Sequence, residues 1–228
     1  MPKVFDYRIM LLAVMGALGS APCYYLIGQS AGARASLSNV YLWTAIFVIA
    51  LLAGYELFFA VQMMTLDRKA RVVRSRLDDR IPFVVQWVWI YGFAYYGLLG
   101  LPLSFFDRLG QCLTCIAGGF AIFLLSSIVY LARPTTCPPE WRSYEVTGTS
   151  SRVLAFIQRM DSGRNCCPSL HCTLAAYTAS FVPSIFLLFA IPALICLSCL
   201  FVKQHSVLDL PTSLVFGFSM GAAVNYLI

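Results

Sequence analysis

Residues 109–132 read LGQCLTCIAGGFAIFLLSSIVYLA and carry no charged side chain. A helix that crosses a bilayer needs about 20 consecutive apolar residues. In the lipid interior the backbone must satisfy its own hydrogen bonds, so a run of this length is expected to be helical. The stretch therefore predicts a transmembrane helix.

The rest of the chain has a matching composition. Of its 228 residues, 60% are hydrophobic and 11% are charged, whereas soluble domains carry about 25% charged residues. The strand alternation of a membrane β-barrel is absent. The apolar runs predict an all-α, polytopic transmembrane bundle of six to seven spans. The expected spans are about Ile9–Gln29, Tyr41–Leu66, 81–106, 109–132, two spans within 165–202 that separate at Pro183-Ser184, and 210–228.

Two polar loops and the chain start carry further expectations. The N-terminal stretch has the look of a signal peptide, but we expect it to be retained as the first span. The segment Ser151–Met160 places its apolar residues on one helical face, which predicts a short interfacial helix. An ordinary packed helix would give the same pattern.

The basic residues predict the orientation and the partners. The net charge is +6, which suits loops held against anionic lipid. Nucleic acid is not expected as a partner, because the chain has no soluble basic domain. With the spans above, fourteen Lys and Arg lie on one side and two, Arg34 and Arg108, on the other. The positive-inside rule then places the first side, and the site described next, at the cytoplasmic face.

The chain contains two histidines, and both lie where an apolar run meets a polar loop. His171 ends the sequence Pro-Ser-Leu-His, and His205 opens His-Ser-Val-Leu-Asp, which ends at Asp209. Histidine is the side chain whose charge changes near neutral pH. On a helix His205 and Asp209 would share a face, and an acid there can orient the imidazole and stabilise its cation. These three residues are the candidate catalytic residues.

Nearby residues offer groups that bind an anion. Arg133 closes the fourth apolar run, and a guanidinium grips phosphate through several donors. Pro168 suits the first turn of the next helix, which would place Ser169 at a helix N-terminus, a favourable anion seat. One histidine at a helix end is usually a capping or interfacial residue. Two of them, on the same side as Arg133 and an acid, favour a phosphoryl-transfer site.

These residues resemble the signatures of the type 2 phosphatidic acid phosphatase superfamily. Arg133-Pro134 matches the end of its first signature, and Pro168-Ser169-Leu170-His171 matches a Pro-Ser-Gly-His with Leu for Gly. His205 with Asp209 matches the end of its third signature. The closer likeness is to the branch holding inositol phosphorylceramide and sphingomyelin synthases, through DSGRNCCPSLH at 161–171 and DDRIPF at 78–83.

The resemblance covers roughly residues 78–220 and implies one transmembrane domain over 1–228. In that domain residues 1–77 supply two spans and 78–228 form the catalytic core. It implies that His205 attacks phosphorus and becomes a phosphohistidine, that Asp209 orients it, and that His171 protonates the leaving oxygen. Ser169 and Arg133 would bind phosphate oxygens.

Two expected cations are missing from the pattern. The Lys expected seven residues before Arg133 is Ser126, and the expected Ser-Arg before His205 reads Ser198-Cys199. Arg164 and Lys203 are the expected substitutes as phosphate ligands. No cofactor and no metal are expected, because no cluster of acids is present to hold an ion.

The sequence leaves the reaction open at one point. A phosphoenzyme can pass its phosphoryl group to water, as a lipid phosphatase, or to a lipid alcohol, as a phosphotransferase, and the acceptor is chosen by the shape of the pocket. A transporter or a lipid-binding protein without catalysis is the alternative from another class. The expected partners are a lipid phosphate substrate and membrane lipids.

Two residue sets have no assigned role. The nine cysteines show no zinc-site spacing, and we expect small buried thiols, with Cys166-Cys167 as a redox-sensitive alternative. Glu56 falls inside the second expected span, where an acid is either functional or a buried partner of a polar side chain.

Overall fold

The computed structural model describes the backbone of residues 7–228 and the side chains from residue 18 onward. Lys3, which the predicted orientation counts, lies outside the described residues. The described chain is almost entirely helical, which confirms the all-α prediction. Its α-helices are α1 (Tyr7–Ser30), α2 (Leu37–Thr65), α3 (Tyr95–Gly100), α4 (Leu109–Ala132), α5 (Thr149–Met160), α6 (Leu170–Ala179), α7 (Ile185–Phe201) and α8 (Asp209–Asn225).

Two of the described helices, α2 and α4, are long and apolar enough to cross a bilayer. They pack against each other, and Gly54 of α2 lies against the ring of Phe123 in α4. Ser36 caps the start of α2, because its hydroxyl accepts a hydrogen bond from the backbone N–H of Asn39. These helices bear out the second and fourth expected spans by length and composition.

The third expected span is not one regular helix. The chain from 85 to 104 passes through a 3-10 turn (Val85–Trp87), a π-helical turn (Ile90–Ala94), α3, and a second 3-10 turn (Leu101–Ser104). Glycines allow close approach here: a side chain on Gly92 would meet Ile157 of α5. Pro102 also disfavours a continuing α-helix, because it lacks the N–H that the helix would use. The prediction of a plain span was wrong in this detail.

The C-terminal apolar run is also more broken than expected. The chain turns at residues 180–184, as the Pro183-Ser184 break predicted. However, α6 has 10 residues, which rise only about 15 Å and cannot cross the roughly 30 Å of a bilayer core. Helices α7 and α8 have 17 residues each. The count of six to seven spans is therefore not given by the helix lengths.

Small residues bring α8 directly onto α6. A side chain on Gly217 would overlap the carbonyl group of Thr173, and one on Gly221 would overlap Ser180. Small residues at helix interfaces allow this kind of backbone approach. Since His171 opens α6 and His205 precedes α8, the close packing of the two helices also holds the two histidines at one end of the bundle.

Short polar segments cover that end of the bundle. Two-residue strands β1 (Arg71–Val72) and β2 (Thr135–Thr136) pair in parallel. Thr136 bridges in turn to Arg164, and the backbone N–H of Asn165 donates to the Thr135 carbonyl at 2.9 Å. Three loops that are distant in sequence are thus joined beside the histidines.

Candidate active site

The two histidines face each other. The ring centroids of His171 and His205 lie 6.2 Å apart, and both rings line the same cavity. Ser169 caps α6 through its hydroxyl, which accepts from the backbone N–H of Cys172, and this fixes the start of the helix that carries His171. The helix begins at Leu170, so Pro168 precedes it rather than occupying its first turn as expected.

Asp209 holds one edge of the His205 ring. Its carboxylate oxygen Oδ2 lies 3.4 Å from Nδ1 of His205, and the same nitrogen lies 3.1 Å from the Cys166 carbonyl oxygen. Both contacts accept a proton on Nδ1, which leaves Nε2 as the nitrogen with a lone pair. The spacing predicted that His205 and Asp209 share a helix, but α8 begins at Asp209 and His205 precedes it. The turn before α8 folds back instead, because the Ser206 N–H donates to the same carboxylate at 2.9 Å.

Burial and Asp209 act in opposite directions on His205. Burial by itself lowers the pKa of the imidazole, but the hydrogen bond and negative charge of Asp209 outweigh it, and the pKa rises to about 9. Asp209 is fully buried. The pair is therefore built to stabilise a positive charge on the His205 ring.

The turn that carries His205 is anchored by a second buried acid, Asp78. One oxygen of its carboxylate accepts from the Ser206 hydroxyl at 2.6 Å, and the other accepts from the Val207 N–H at 2.8 Å. Asp78 has 1% of its surface exposed. The sequence had shown Asp78 only as part of a resembling stretch, and its anchoring role was missed. A buried acid in a short polar loop between apolar runs was the available signal.

Two tyrosines form the wall behind His171. The Tyr91 ring stacks on the imidazole with centroids 4.4 Å apart, and the Tyr95 ring lies at 4.5 Å. Tyr91 belongs to the π-helical turn of the irregular segment. That irregularity therefore has a local consequence, since it aims an aromatic ring at a candidate catalytic residue.

The histidines lie at the polar end of a large cavity of about 580 Å³. Its other walls are apolar and come from α2, the irregular segment and α5. Phe93, which lines it, is 46% exposed, so the cavity reaches the surface of the bundle. The apolar lining residues are Leu51, Leu52, Phe58, Phe59, Phe93, Val153, Phe156, Ile157 and Met160.

The residues that line the cavity show which way the apolar face of α5 points. The helix was predicted from its amphipathic pattern, and it is present at Thr149–Met160. Phe156 and Ile157 on its apolar face line the cavity, and Leu154 is fully buried. The apolar face therefore packs on the protein interior, as in the second of the two expected arrangements.

Known proteins add no assignment to this geometry. The chain matches no protein-family model, no curated protein and no solved structure. The likeness to the phosphatase superfamily therefore rests on Arg133-Pro134, on residues 168–171 and on the pair of His205 and Asp209.

The structure separates the four expected phosphate ligands. Arg133 is exposed at the end of α4 and does not line the cavity. Lys203 is drawn away from it, because its ammonium donates to the Asp78 and Ile81 carbonyl oxygens at 2.6 and 2.7 Å. Ser169 is fully buried, and its backbone N–H donates to Ser213. None of these three residues lines the cavity in this structure, so their roles as phosphate ligands stay predictions that no contact supports.

Arg164 is the member of that set that lines the cavity. Its two terminal nitrogens donate to the carbonyl oxygens of Arg68 and Leu66 at 2.8 and 2.5 Å. These carbonyls lie at the C-terminal end of α2, where a cation is favourable. Arg164 thus brings positive charge to the cavity while its hydrogen bonds serve the fold.

Two amide side chains beside the histidines were missed by sequence reasoning. Asn165 and Gln204 are 2% and 5% exposed and line the cavity. Both amide atoms of Asn165 and the Nε2 of Gln204 have no hydrogen-bond partner in the described part of the chain. Asn165 precedes Cys166, whose carbonyl oxygen contacts His205, and Gln204 precedes His205 itself. Asn165 stands in the resembling stretch at 161–171 without an assigned role, and Gln204 carried no sequence signal, so only the fold could reveal both as neighbours of the histidines.

Among the remaining candidates, Cys166 contributes its carbonyl oxygen to His205. Glu56 is exposed on α2 and does not line the cavity, so it is not a buried partner of a polar side chain, and a functional role for it stays a prediction. Seven of the nine cysteines are buried thiols, as expected. Among the described residues, no three His, Cys, Asp or Glu side chains group as metal ligands would.

Proposed function

We propose that this protein is an integral membrane, multi-pass lipid phosphatase or phosphotransferase that works through a phosphohistidine. The observation that carries the proposal is the pair of histidine rings with centroids 6.2 Å apart, one of them held by a buried acid, at the polar end of an apolar cavity. A single phosphorus atom can lie between two rings at that distance. An apolar lining suits the hydrocarbon part of a lipid.

In the first step, Nε2 of His205 attacks phosphorus. The N–P bond forms while the bond from phosphorus to the lipid oxygen breaks, and protonated His171 gives its proton to that oxygen. The imidazole of His205 gains positive charge as it is phosphorylated. Asp209 at 3.4 Å from Nδ1 stabilises that charge.

In the second step, neutral His171 takes a proton from the acceptor. The acceptor oxygen forms a bond to phosphorus, the N–P bond breaks, and His205 returns to its starting state. Acceptance by water releases inorganic phosphate. Acceptance by a lipid alcohol transfers the phosphorylated headgroup, and the apolar cavity of about 580 Å³ favours this second candidate, since it can admit the chain of a lipid acceptor.

The proposed multi-pass topology goes beyond α2 and α4, the two helices whose length and composition support a span. Helices α2 and α4 are apolar along their length, and α7 and α8 would complete a multi-pass bundle around α6. The cavity reaches the surface beside Phe93, so a lipid could enter sideways from the bilayer. For the orientation we propose the cytoplasmic face, because the positive-inside rule favours that face for the end with the excess of basic residues.

Turnover of purified protein in detergent tests the proposal. Phosphatidic acid radiolabelled on phosphorus is supplied with and without ceramide as acceptor. The release of labelled inorganic phosphate and the transfer of the labelled phosphoryl group to ceramide are measured. We expect turnover in the parent, and a loss of at least about 10³-fold in His205→Ala, because the nucleophile is removed. Equal turnover in parent and variant would overturn the mechanism and favour a transporter or a binding protein.

A trapping experiment separates the roles of the two histidines. p-Nitrophenyl phosphate has a leaving group that needs no proton, so His171→Gln should form the phosphoenzyme and then fail to pass it on. We expect a burst of nitrophenol and an acid-labile phosphohistidine in His171→Gln, and neither in His205→Ala. A phosphoenzyme in His205→Ala would contradict the assignment of the nucleophile.

A further inference from the structure

The phosphate group of the proposed substrate needs hydrogen-bond donors inside the cavity. Three of the four residues expected to supply them do not line it, as described above for Arg133, Lys203 and Ser169. The fourth, Arg164, lines it, but its guanidinium is bound to backbone carbonyl oxygens. Beside the histidines the cavity is also lined by a pair of uncharged amides. Their donors are buried and unpartnered, and such atoms cost free energy unless a ligand or water pairs with them.

We propose that Asn165 and Gln204 form a neutral amide cradle that binds the oxygens of the transferred phosphoryl group. The ligand class is a tetrahedral oxyanion, namely a phosphate monoester or diester on a lipid. This inference rests on the proposed function and names the binding subsite within it.

The backbone aims Asn165 at this task. Its φ angle is +63°, a left-handed conformation that asparagine tolerates better than most residues. Its backbone N–H donates to the Thr135 carbonyl oxygen, whereas Oδ1 and Nδ2 of its side chain have no hydrogen-bond partner. The side chain is thus held in place by its backbone and remains free for a ligand.

Gln204 is oriented from its other end. Its Oε1 accepts from the Arg142 guanidinium at 3.4 Å. The guanidinium itself is held by the Asp161 backbone carbonyl at 2.6 Å. Because Oε1 accepts this hydrogen bond, the Nε2 group remains as the donor that can bind a ligand in the cavity. Arg164, which also lines the cavity, supplies positive charge in place of the two expected cations, and the amides supply directed hydrogen bonds.

Binding of orthovanadate tests the cradle without requiring turnover. The affinity of the detergent-solubilised full chain is measured from the shift of its thermal unfolding midpoint with vanadate concentration. Asn165→Asp keeps the size and replaces the donor by a carboxylate, Asn165→Gly keeps the left-handed backbone accessible, and Gln204→Met keeps the length. Arg133→Met is the matched control, since it removes a cation expected from sequence that the cavity does not contain.

We expect each amide variant to weaken vanadate binding by on the order of tenfold or more, with Asn165→Asp the weakest binder, and Arg133→Met to stay within about twofold of the parent. Amide variants that fold, with a midpoint near that of the parent without vanadate, and bind vanadate as the parent does would overturn the cradle. That result would leave turnover by His205 untouched. Conversely, amide-dependent vanadate binding without any turnover would support the cradle while overturning the proposed catalysis.

Discussion

Replacement of Asp209 by Asn is the sharpest test of the histidine pair. Asp209 raises the pKa of His205 from 6.5 to about 9 against the effect of burial. That interval corresponds to about 3 kcal/mol, since one pKa unit is worth about 1.4 kcal/mol. The carboxylate is the main source of this stabilisation of the imidazole cation, since burial alone would move the pKa the other way.

The same interaction acts in the proposed phosphorylation of His205, where the ring becomes positively charged. Loss of about 3 kcal/mol there slows the step by on the order of 10²-fold. The neutral His205 ring is the nucleophile. With p-nitrophenyl phosphate, whose leaving group needs no proton from His171, kcat/KM of the parent should therefore rise with pH until about 9. In Asp209→Asn the pKa falls to or below its ordinary value, and the ascending limb should end below about pH 7.

The two profiles should therefore diverge with pH. Above pH 9 the parent is faster by on the order of 10²-fold. Near pH 6 most parent molecules carry a protonated His205, and the difference should largely close. The assay is the pH dependence of kcat/KM for p-nitrophenyl phosphate in detergent, so that the His171 proton does not enter the profile. Asp161→Asn is the control, because Asp161 lines the cavity without a hydrogen bond to either histidine. Parallel parent and variant profiles would refute the reasoning.

Two further predictions concern the loops around the site. Asp78→Asn should lower the midpoint of thermal unfolding by about 5 °C or more, because a buried carboxylate loses charge-assisted hydrogen bonds such as that from the Val207 N–H. The control Asp79→Asn changes an exposed side chain and should leave the midpoint nearly unchanged. Equal midpoints in the two variants would contradict the anchoring role of Asp78. The sulfurs of Cys137 and Cys166 lie 2.8 Å apart, so diamide, which accepts the two electrons and two protons of the thiols, should join them in a disulfide. Because burial raises the pKa of Cys166, we expect slow cross-linking, detected by non-reducing peptide mass spectrometry and absent in Cys137→Ser; cross-links at other cysteines alone would refute it.

Much of the fold was readable from local patterns. The charge-free run at 109–132 is α4, and the run from Tyr41 lies within α2. The amphipathic segment before the Pro-Ser-Leu-His motif is α5. These succeeded because hydrophobic runs and helical periodicity act over a few turns of chain. The third span was less regular than expected, and α6 was shorter. At Gly92 the close approach to Ile157 is a tertiary contact that the sequence does not show.

The catalytic candidates could be predicted from the sequence, whereas the groups proposed to face the phosphate could not. His171, His205 and Asp209 could be chosen from the sequence, because the chain has two histidines and one of them precedes an acid by four residues. Their meeting required α8 to lie on α6 through Gly217.

The amino-acid sequence by itself determined that the chain is helical and apolar and that its imidazoles lie at the ends of apolar runs. The tertiary structure alone decided which polar groups reach the cavity. Charge marks a residue as able to bind phosphate, but the direction of a side chain depends on competing partners, such as the carbonyls that hold Lys203. Asn165 and Gln204 became candidates only when folding buried their amides without a partner.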